Sequence, residues 1–247
     1  MKAIIEVRNL SFRYTNRDPL ILDSIDLDIE RGSITSIAGL SGCGKSTLAF
    51  CLCGAIPKSM PGIMEGSIMI DGADIKELSL PNLAKKIGMV FQDVDNQLFL
   101  PTVESEIAFA PENLCLPYED IEKIINRVIS MLNIGHLRYK NPSHLSGGEK
   151  HLAAIASILS LDPDIIILDE VLSELDRENK ELIKNVIKIL NEAGKTIIII
   201  DHSIKNLMVA DTILLMRKGR IEDRIEVDDS HELLYNRLTD FYLQQQQ

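Results

Sequence analysis

Gly39-Leu-Ser-Gly-Cys-Gly-Lys-Ser-Thr47 decides the fold. Glycines at positions 39, 42 and 44 let successive backbone N–H groups turn inward, and at a helix N-terminus that concavity binds phosphate oxygens. Lys45 supplies a cation that reaches the β- and γ-phosphates, and the Ser46 hydroxyl is a hard oxygen ligand suited to Mg²⁺. Gly39, Ser41, Gly42, Cys43, Gly44, Lys45, Ser46 and Thr47 are therefore the candidate binding set for a nucleoside triphosphate. The flanks agree with this. Ser33-Ile-Thr-Ser-Ile-Ala38 reads as a strand running into the loop, and residues 45–53 read as the helix that follows, closed by Gly54 and Pro57.

Further along, Ile165-Ile-Ile-Leu168 and Thr196-Ile-Ile-Ile-Ile200 are continuous apolar runs of the kind buried on both faces of a parallel sheet. An amphipathic helix over residues 177–192 joins them into a βαβ unit. The first run ends in Asp169-Glu170, and acids at a strand's carboxyl end emerge at the crevice where open α/β sheets bind ligands. Alone they also read, less readily, as two solvated acids after a core strand. Beside a phosphate loop, Asp169 is the candidate for the Mg²⁺ shell and Glu170 for polarising the attacking water.

Upstream, Ile4-Ile-Glu-Val-Arg-Asn-Leu-Ser-Phe-Arg-Tyr14 and Ile21-Leu-Asp-Ser-Ile-Asp-Leu-Asp-Ile29 alternate apolar with polar residues, as half-buried antiparallel strands do. Residues 68–70 and 87–91 read as further strands, with Asp71-Gly72 a turn leading to a short helix. Between residues 102 and 148 the period changes, and Ile121, Ile124, Ile125, Val128, Ile129 and Leu132 recur at helical spacing.

The 247 residues suffice for one large α/β domain, and 45% apolar with 26% charged residues is ordinary for a folded chain. A net charge of −11 argues against a nucleic-acid partner, because backbone binding needs an excess of Lys and Arg. Cys43, Cys51, Cys53 and Cys115 show no paired CxxC spacing, which fits reduced thiols rather than zinc or a disulfide framework. No apolar run approaches the roughly 18 to 20 residues that cross a bilayer. The opening MKAIIEVRN meets Glu6 and Arg8 too early for a signal peptide. No internal repeat is present, and Gln244–Gln247 reads as a frayed tail.

Leu145-Ser-Gly-Gly-Glu149 narrows the class. Alone, Ser-Gly-Gly is a good helix start, here for a helix over residues 150–161 with Leu152, Ile155, Ala156 and Leu159 on one stripe. It stands about 100 residues after Lys45 and about 20 before Asp169, and at that place it resembles the LSGGQ signature of the ABC ATPases. In that family the signature caps the γ-phosphate held by a partner subunit's phosphate loop, which makes Ser146, Gly147, Gly148 and Glu149 nucleotide-binding candidates. The resemblance covers essentially the whole chain and implies roles for other residues. Tyr14 stands where the family places an adenine-stacking aromatic, although a core or edge-strand tyrosine reads equally well. Gln92 matches the Q-loop glutamine, which contacts Mg²⁺ or water. Ser173-Glu-Leu-Asp176 resembles the D-loop, bringing Asp176 into the set, and His202 matches the switch histidine on the γ-phosphate.

Val90-Phe-Gln-Asp-Val-Asp-Asn-Gln-Leu-Phe99 and Thr102-Val-Glu-Ser-Glu-Ile-Ala-Phe-Ala-Pro-Glu-Asn113 resemble a narrower group, the energy-coupling-factor and cobalt-type ATPases. Their pattern is close to FQNPDNQ followed by TVxxDVAFGPEN. Ala110 here replaces a Gly and Val94 a Pro. Val171-Leu172 replaces the family's common Pro-Thr, and His151-Leu152 its Gln-Arg, without removing a phosphate, metal or base group.

These readings predict an α/β protein: a P-loop NTPase core with an N-terminal antiparallel β subdomain and an inserted α-helical signature subdomain. The expected division is one ATPase domain over 1–247. Residues 1–101 and 162–220 supply the β subdomain and RecA-like core, 102–161 the helical subdomain, and 221–247 a C-terminal extension. By resemblance, the chain is expected to bind ATP and Mg²⁺ and to pair with a second ATPase subunit. Integral-membrane subunits would be met near residues 92–113, at the cytoplasmic face of the membrane, energising uptake of a vitamin or transition-metal ion. The alternatives are a catalytically weak member of a heterodimer and a soluble ABC ATPase without a transport role.

Overall fold

A computed structural model describes residues 2–173, 175–227 and 231–244. Strands β1 (Ala3–Arg13) and β2 (Leu22–Glu30) pair antiparallel, with Val7 opposite Leu27. Their alternation buries Val7, Leu10 and Phe12 from one strand and Ile25, Leu27 and Ile29 from the other. Strand β3 (Ile34–Ala38) then runs into the phosphate loop, and α1 (Lys45–Leu52) starts immediately after it. The short helix α2 (Ala55–Lys58) leads to β4 (Ile63–Ile70). The Asp71-Gly72 turn then returns the chain as β5 (Ala73–Asp74), so a strand intervenes before the expected helix α3 (Leu80–Ala84). Two successive positive φ values, 52° and 78°, match the twist of a tight hairpin, which is why the chain doubles back there.

After β6 (Ile87–Val90) come the long helices α4 (Val103–Asn113), α5 (Tyr118–Leu132) and α6 (Gly147–Leu159). Helix α6 opens three residues earlier than the sequence suggests. Ser146 accepts the Glu149 N–H while the Glu149 carboxylate accepts the Ser146 N–H at 2.8 Å, a reciprocal cap that satisfies the first turn's free donors. Strand β7 (Ile165–Asp169), helix α7 (Arg177–Glu192) and strand β8 (Thr196–Asp201) form the expected βαβ unit. Helix α7 buries Ile183, Val186, Ile187 and Leu190 at helical spacing. The short helix α8 (Ile204–Leu207), hairpin strands β9 (Thr212–Arg217) and β10 (Arg220–Glu226), and helix α9 (His231–Gln244) complete the described chain. Of the expected frayed tail, Gln245–Gln247 lie outside the described residues, as does Glu174 of the expected D-loop.

The strands make two sheets, one in the order β2-β1-β4-β5 and one in the order β10-β9-β3-β8-β7-β6. In the second sheet, β9, β3, β8, β7 and β6 run parallel, with Ile37 beside both Ile200 and Leu214 and Ile167 beside Ile198. Alternate residues of β7 and β8 serve different cores. Ile165, Ile167, Ile198 and Ile200 face a cluster with Leu48 and Leu52 of α1 and with Val7, Leu10 and Phe12 of the first sheet. Ile166, Leu168, Ile197 and Ile199 face the opposite cluster, with Ile107, Ile125, Ile155 and Ile187 of the helices. Each isoleucine buried this way contributes about 1.5–3 kcal/mol. Because these strands are parallel, the loops after β3, β6, β7 and β8 leave from one edge of the sheet, and Lys45, Gln92, Glu170 and His202 lie on them or where the next helix begins.

Candidate active site

The phosphate loop is held by its backbone. Gly44, at φ 106°, caps α1 in the left-handed region, and a side chain there would also crowd the Ile21 carbonyl. Lys45 is buried, and in this state its Nζ donates to the Gly39 carbonyl at 2.9 Å and the Leu40 carbonyl at 3.1 Å. It also stands 3.9 Å from Glu170 Oε1. Cys43 is buried within the loop, and burial pushes its thiol pKa up against the opposing charge of Lys45.

Next to it, the Ser46 hydroxyl hydrogen-bonds the Asp169 carboxylate. Asp169 is buried, and its Oδ1 has no hydrogen-bond partner. Burial raises its pKa to about 6, opposed by the Ser46 bond and reinforced by the charge of Glu170. A buried carboxylate oxygen without a partner beside a hydroxyl fits a hard divalent cation that keeps phosphate and water in its other positions. Among the described residues, no group of three or more His, Cys, Asp or Glu could hold a metal by itself.

The raised value fixes the sign of a pH effect. Asp169 holds its proton more tightly folded than unfolded, so its contribution to stability is full below about pH 4 and lost as pH rises through about 6. Asp169→Asn is therefore expected to stabilise the nucleotide-free protein by roughly 2–3 kcal/mol at pH 8, with little gain at pH 4. Urea melts at the two pH values read this directly, and the same substitution should remove the stabilisation that added Mg²⁺ gives the wild type.

Glu170 follows at φ 53°, an uncommon conformation for a side-chain-bearing residue, with its N–H held by the Ile200 carbonyl at 2.9 Å. Its Oε2 lies 3.5 Å from His202 Nδ1, and His202 is half exposed. Asp201, fully buried, shapes this turn: it accepts from the Ser173 hydroxyl at 2.8 Å, the Ser203 N–H at 2.7 Å and the Asn206 amide at 2.9 Å. Asp201 and Asn206 escaped the sequence reading, where the only trace is an acid ending an apolar strand. Tyr242 of α9 also escaped it. Its hydroxyl faces the Gly39 backbone, and burial pushes its pKa up to about 12 with Asp201, Cys43 and Glu170 adding to the rise.

The remaining candidates gather elsewhere. Ser146 and Glu149 cap α6, and Gly148 meets Asn179 of α7, whose side chain a Cβ at position 148 would strike. Asp176 accepts both the Asn179 N–H and its amide at 2.9 Å, so the signature turn and the end of the expected D-loop form one unit. Gly147 lines an open cleft with Gln92 and Lys150. Lys45, Ser46, Asp169, Glu170 and His202 are thus brought together, while Ser146, Gly148, Glu149 and Asp176 form a second group. Tyr14 joins neither. It is 40% exposed and packs edge-on against Phe12 with ring centres 5.0 Å apart. Val171, Leu172 and Leu152, where the chain departs from the family pattern, are buried in the core.

A strand, a lysine-bearing glycine loop, a helix and a metal-ready acid at the end of β7, two strands away in the same sheet, define a P-loop nucleotide-binding protein. The sequence model of the ABC transporter family matches residues 22–173, and the chain belongs to that family. It is 39% identical to the energy-coupling factor transporter ATP-binding protein EcfA of Pediococcus pentosaceus over 226 residues, 90% of this chain and 78% of that one. The structure of CbiO1 from Clostridium perfringens, described as part of the ABC transporter complex cbiONQ, is similar at TM-score 0.83 and 31% identity. That likeness covers 97% of this chain and 93% of CbiO1. The dimeric post-hydrolysis cassette MJ0796, bound to ADP and Pi, matches at TM-score 0.79 and 27% identity over 91% of this chain and 99% of that one. Other curated relatives are longer, and the chain spans 39%, 44% and 38% of the length of three putative ABC transporter ATP-binding proteins. Among the described residues no helix is long and apolar enough to cross a membrane.

Proposed function

We propose that this chain is the ATP-hydrolysing subunit of an energy-coupling-factor-type transporter, seated peripherally on the cytoplasmic face of the membrane. It energises uptake of a vitamin or a transition-metal ion. One observation carries the reading: the candidate residues form two groups, one at the phosphate loop and one at the signature turn. Two chains facing each other would set the phosphate loop of one against Ser146, Gly147 and Gly148 of the other, surrounding each γ-phosphate from both sides. The dimeric MJ0796 cassette and the EcfA and CbiO1 relatives support this reading.

In the proposed cycle, Lys45 exchanges the carbonyls of Gly39 and Leu40 for phosphate oxygens. Ser46, Asp169 and Gln92 would hold Mg²⁺, which when bound neutralises charge across the phosphates. Glu170 accepts a proton from the attacking water, and His202 and the opposite Ser146 donate to the oxygens on which charge develops. Tyr14 stacks on the base and Asp176 lies at the junction of the two chains. Membrane subunits engage the surface from residue 92 to 113, where Phe99 and Phe109 stack edge-on and exposed.

Isolation of the tagged chain from solubilised membranes tests this reading, with mass spectrometry of what accompanies it. The expected result is a second ATPase chain and at least one polytopic membrane protein. A soluble assembly without a membrane protein, still active on Mg·ATP, would overturn the transport assignment.

A further inference from the structure

The segment between β6 and α4 is held by side chains. Gln97 Oε1 accepts the Phe91 N–H at 3.0 Å, and Gln97 Nε2 donates to the Met89 carbonyl at 3.1 Å. Its amide thus docks on the free edge of β6 as a peptide group of one more strand would. Residues 91 to 97 become a closed loop with Gln92 exposed on it. Within the loop, Asp93 accepts the Asp95 N–H at 3.1 Å and the Asn96 amide at 2.7 Å.

Two further ties reach the helices. Glu106 of α4 is buried, and its Oε1 accepts the N–H groups of Phe99 and Leu100, both at 2.5 Å. Burial raises the pKa of that carboxyl, against the pull of the two N–H bonds. Lys150 of α6 bonds Asp95 at 2.6 Å. The loop is therefore fastened to the sheet through Gln97, to α4 through Glu106 and to the signature helix through Lys150. Only Leu98 lies between the first tie and the residues held by the second.

We propose that Gln97 is a positioning residue for Gln92: its amide keeps the loop shut on β6, so that a displacement of α4, passed through Glu106, moves Gln92 relative to the phosphate site. This rests on reading Gln92 as a group that contacts the magnesium ion or the attacking water. The bonds of the Gln97 and Glu106 side chains described above go to main-chain groups of Met89, Phe91, Phe99 and Leu100, apart from the phosphate loop.

A double-mutant cycle on the full chain tests it, with Mg·ATP turnover and the Mg²⁺ concentration for half-maximal rate as readouts. Gln92→Ala and Gln97→Ala should each lower kcat about tenfold, with KM for ATP held within about twofold and the Mg²⁺ requirement raised in both. The double variant should be no slower than Gln92→Ala alone, because Gln97 acts through Gln92. Gln97→Glu keeps the shape and the acceptor but sets a carboxylate against the Met89 carbonyl, and it should behave as Gln97→Ala does. Glu106→Gln keeps a carbonyl acceptor and should restore most of the turnover lost in Glu106→Ala. A double variant about a hundredfold slower than wild type, or Gln97 variants with wild-type kcat beside a slowed Gln92→Ala, would overturn the proposal. Wild-type turnover in Gln92→Ala would instead overturn the role given to Gln92, and the proposal with it.

Discussion

Glu170→Gln should still bind ATP, hydrolyse it about a thousandfold more slowly and accumulate as an ATP-bound dimer. The amide has nearly the shape of the carboxylate but cannot take a proton from water, so the loss falls on the chemical step. The main chain gives the substitution little reason to disturb the fold, since the φ of 53° and the N–H bond to Ile200 belong to the backbone. Removing the charge also takes a negative group from 3.9 Å beside Lys45, leaving that cation free for phosphate, so affinity should be kept or improved. Single-turnover hydrolysis and size-exclusion chromatography with and without ATP measure the two halves of the effect. Turnover near the wild-type rate would remove Glu170 as the base.

Lys45→Ala is expected to weaken ATP binding about a hundredfold or more, since charge-assisted bonds to phosphate contribute roughly 1.5–3 kcal/mol each. The lysine is 3% exposed and bonded to two loop carbonyls, so the substitution also removes one donor from each of the Gly39 and Leu40 oxygens, the latter keeping the Cys43 N–H at 3.3 Å. Calorimetric titration with Mg·ATP reads the affinity, and far-UV circular dichroism checks that α1 persists. Tight binding in this variant would mean that the nucleotide does not sit in the glycine loop.

Much of the architecture was legible because its causes are local. Helix α7 ends where the sequence places it, since an apolar stripe lies between the Asp176 cap and Gly194. The isoleucine runs of β7 and β8 admit few environments other than the middle of a parallel sheet. The start of α6 was misplaced because glycines are poor helix formers, and only the Ser146–Glu149 reciprocal cap reveals that the helix includes them. The β5 hairpin was missed because two residues carry too little pattern to be seen.

At the site, the residues that stand out in sequence are those whose chemistry needs a fixed spacing, such as Lys45 and Ser46. Asp201, Asn179 and Tyr242 act through tertiary contacts. Asn179 meets Gly148 across 31 positions of chain, and Tyr242 reaches Gly39 from the far end. No local pattern announces such partners.

The two rows of isoleucine on β7 and β8 have a consequence for how the protein comes apart. Because Ile165 and Ile167 lie in one cluster and Ile166 and Leu168 in the other, neither core can melt while leaving its neighbour intact. Loss of the helical layer would bare one side of strands that the antiparallel sheet still needs. Heat or denaturant should therefore meet one cooperative unit rather than two, and damage at either face is felt across the whole chain.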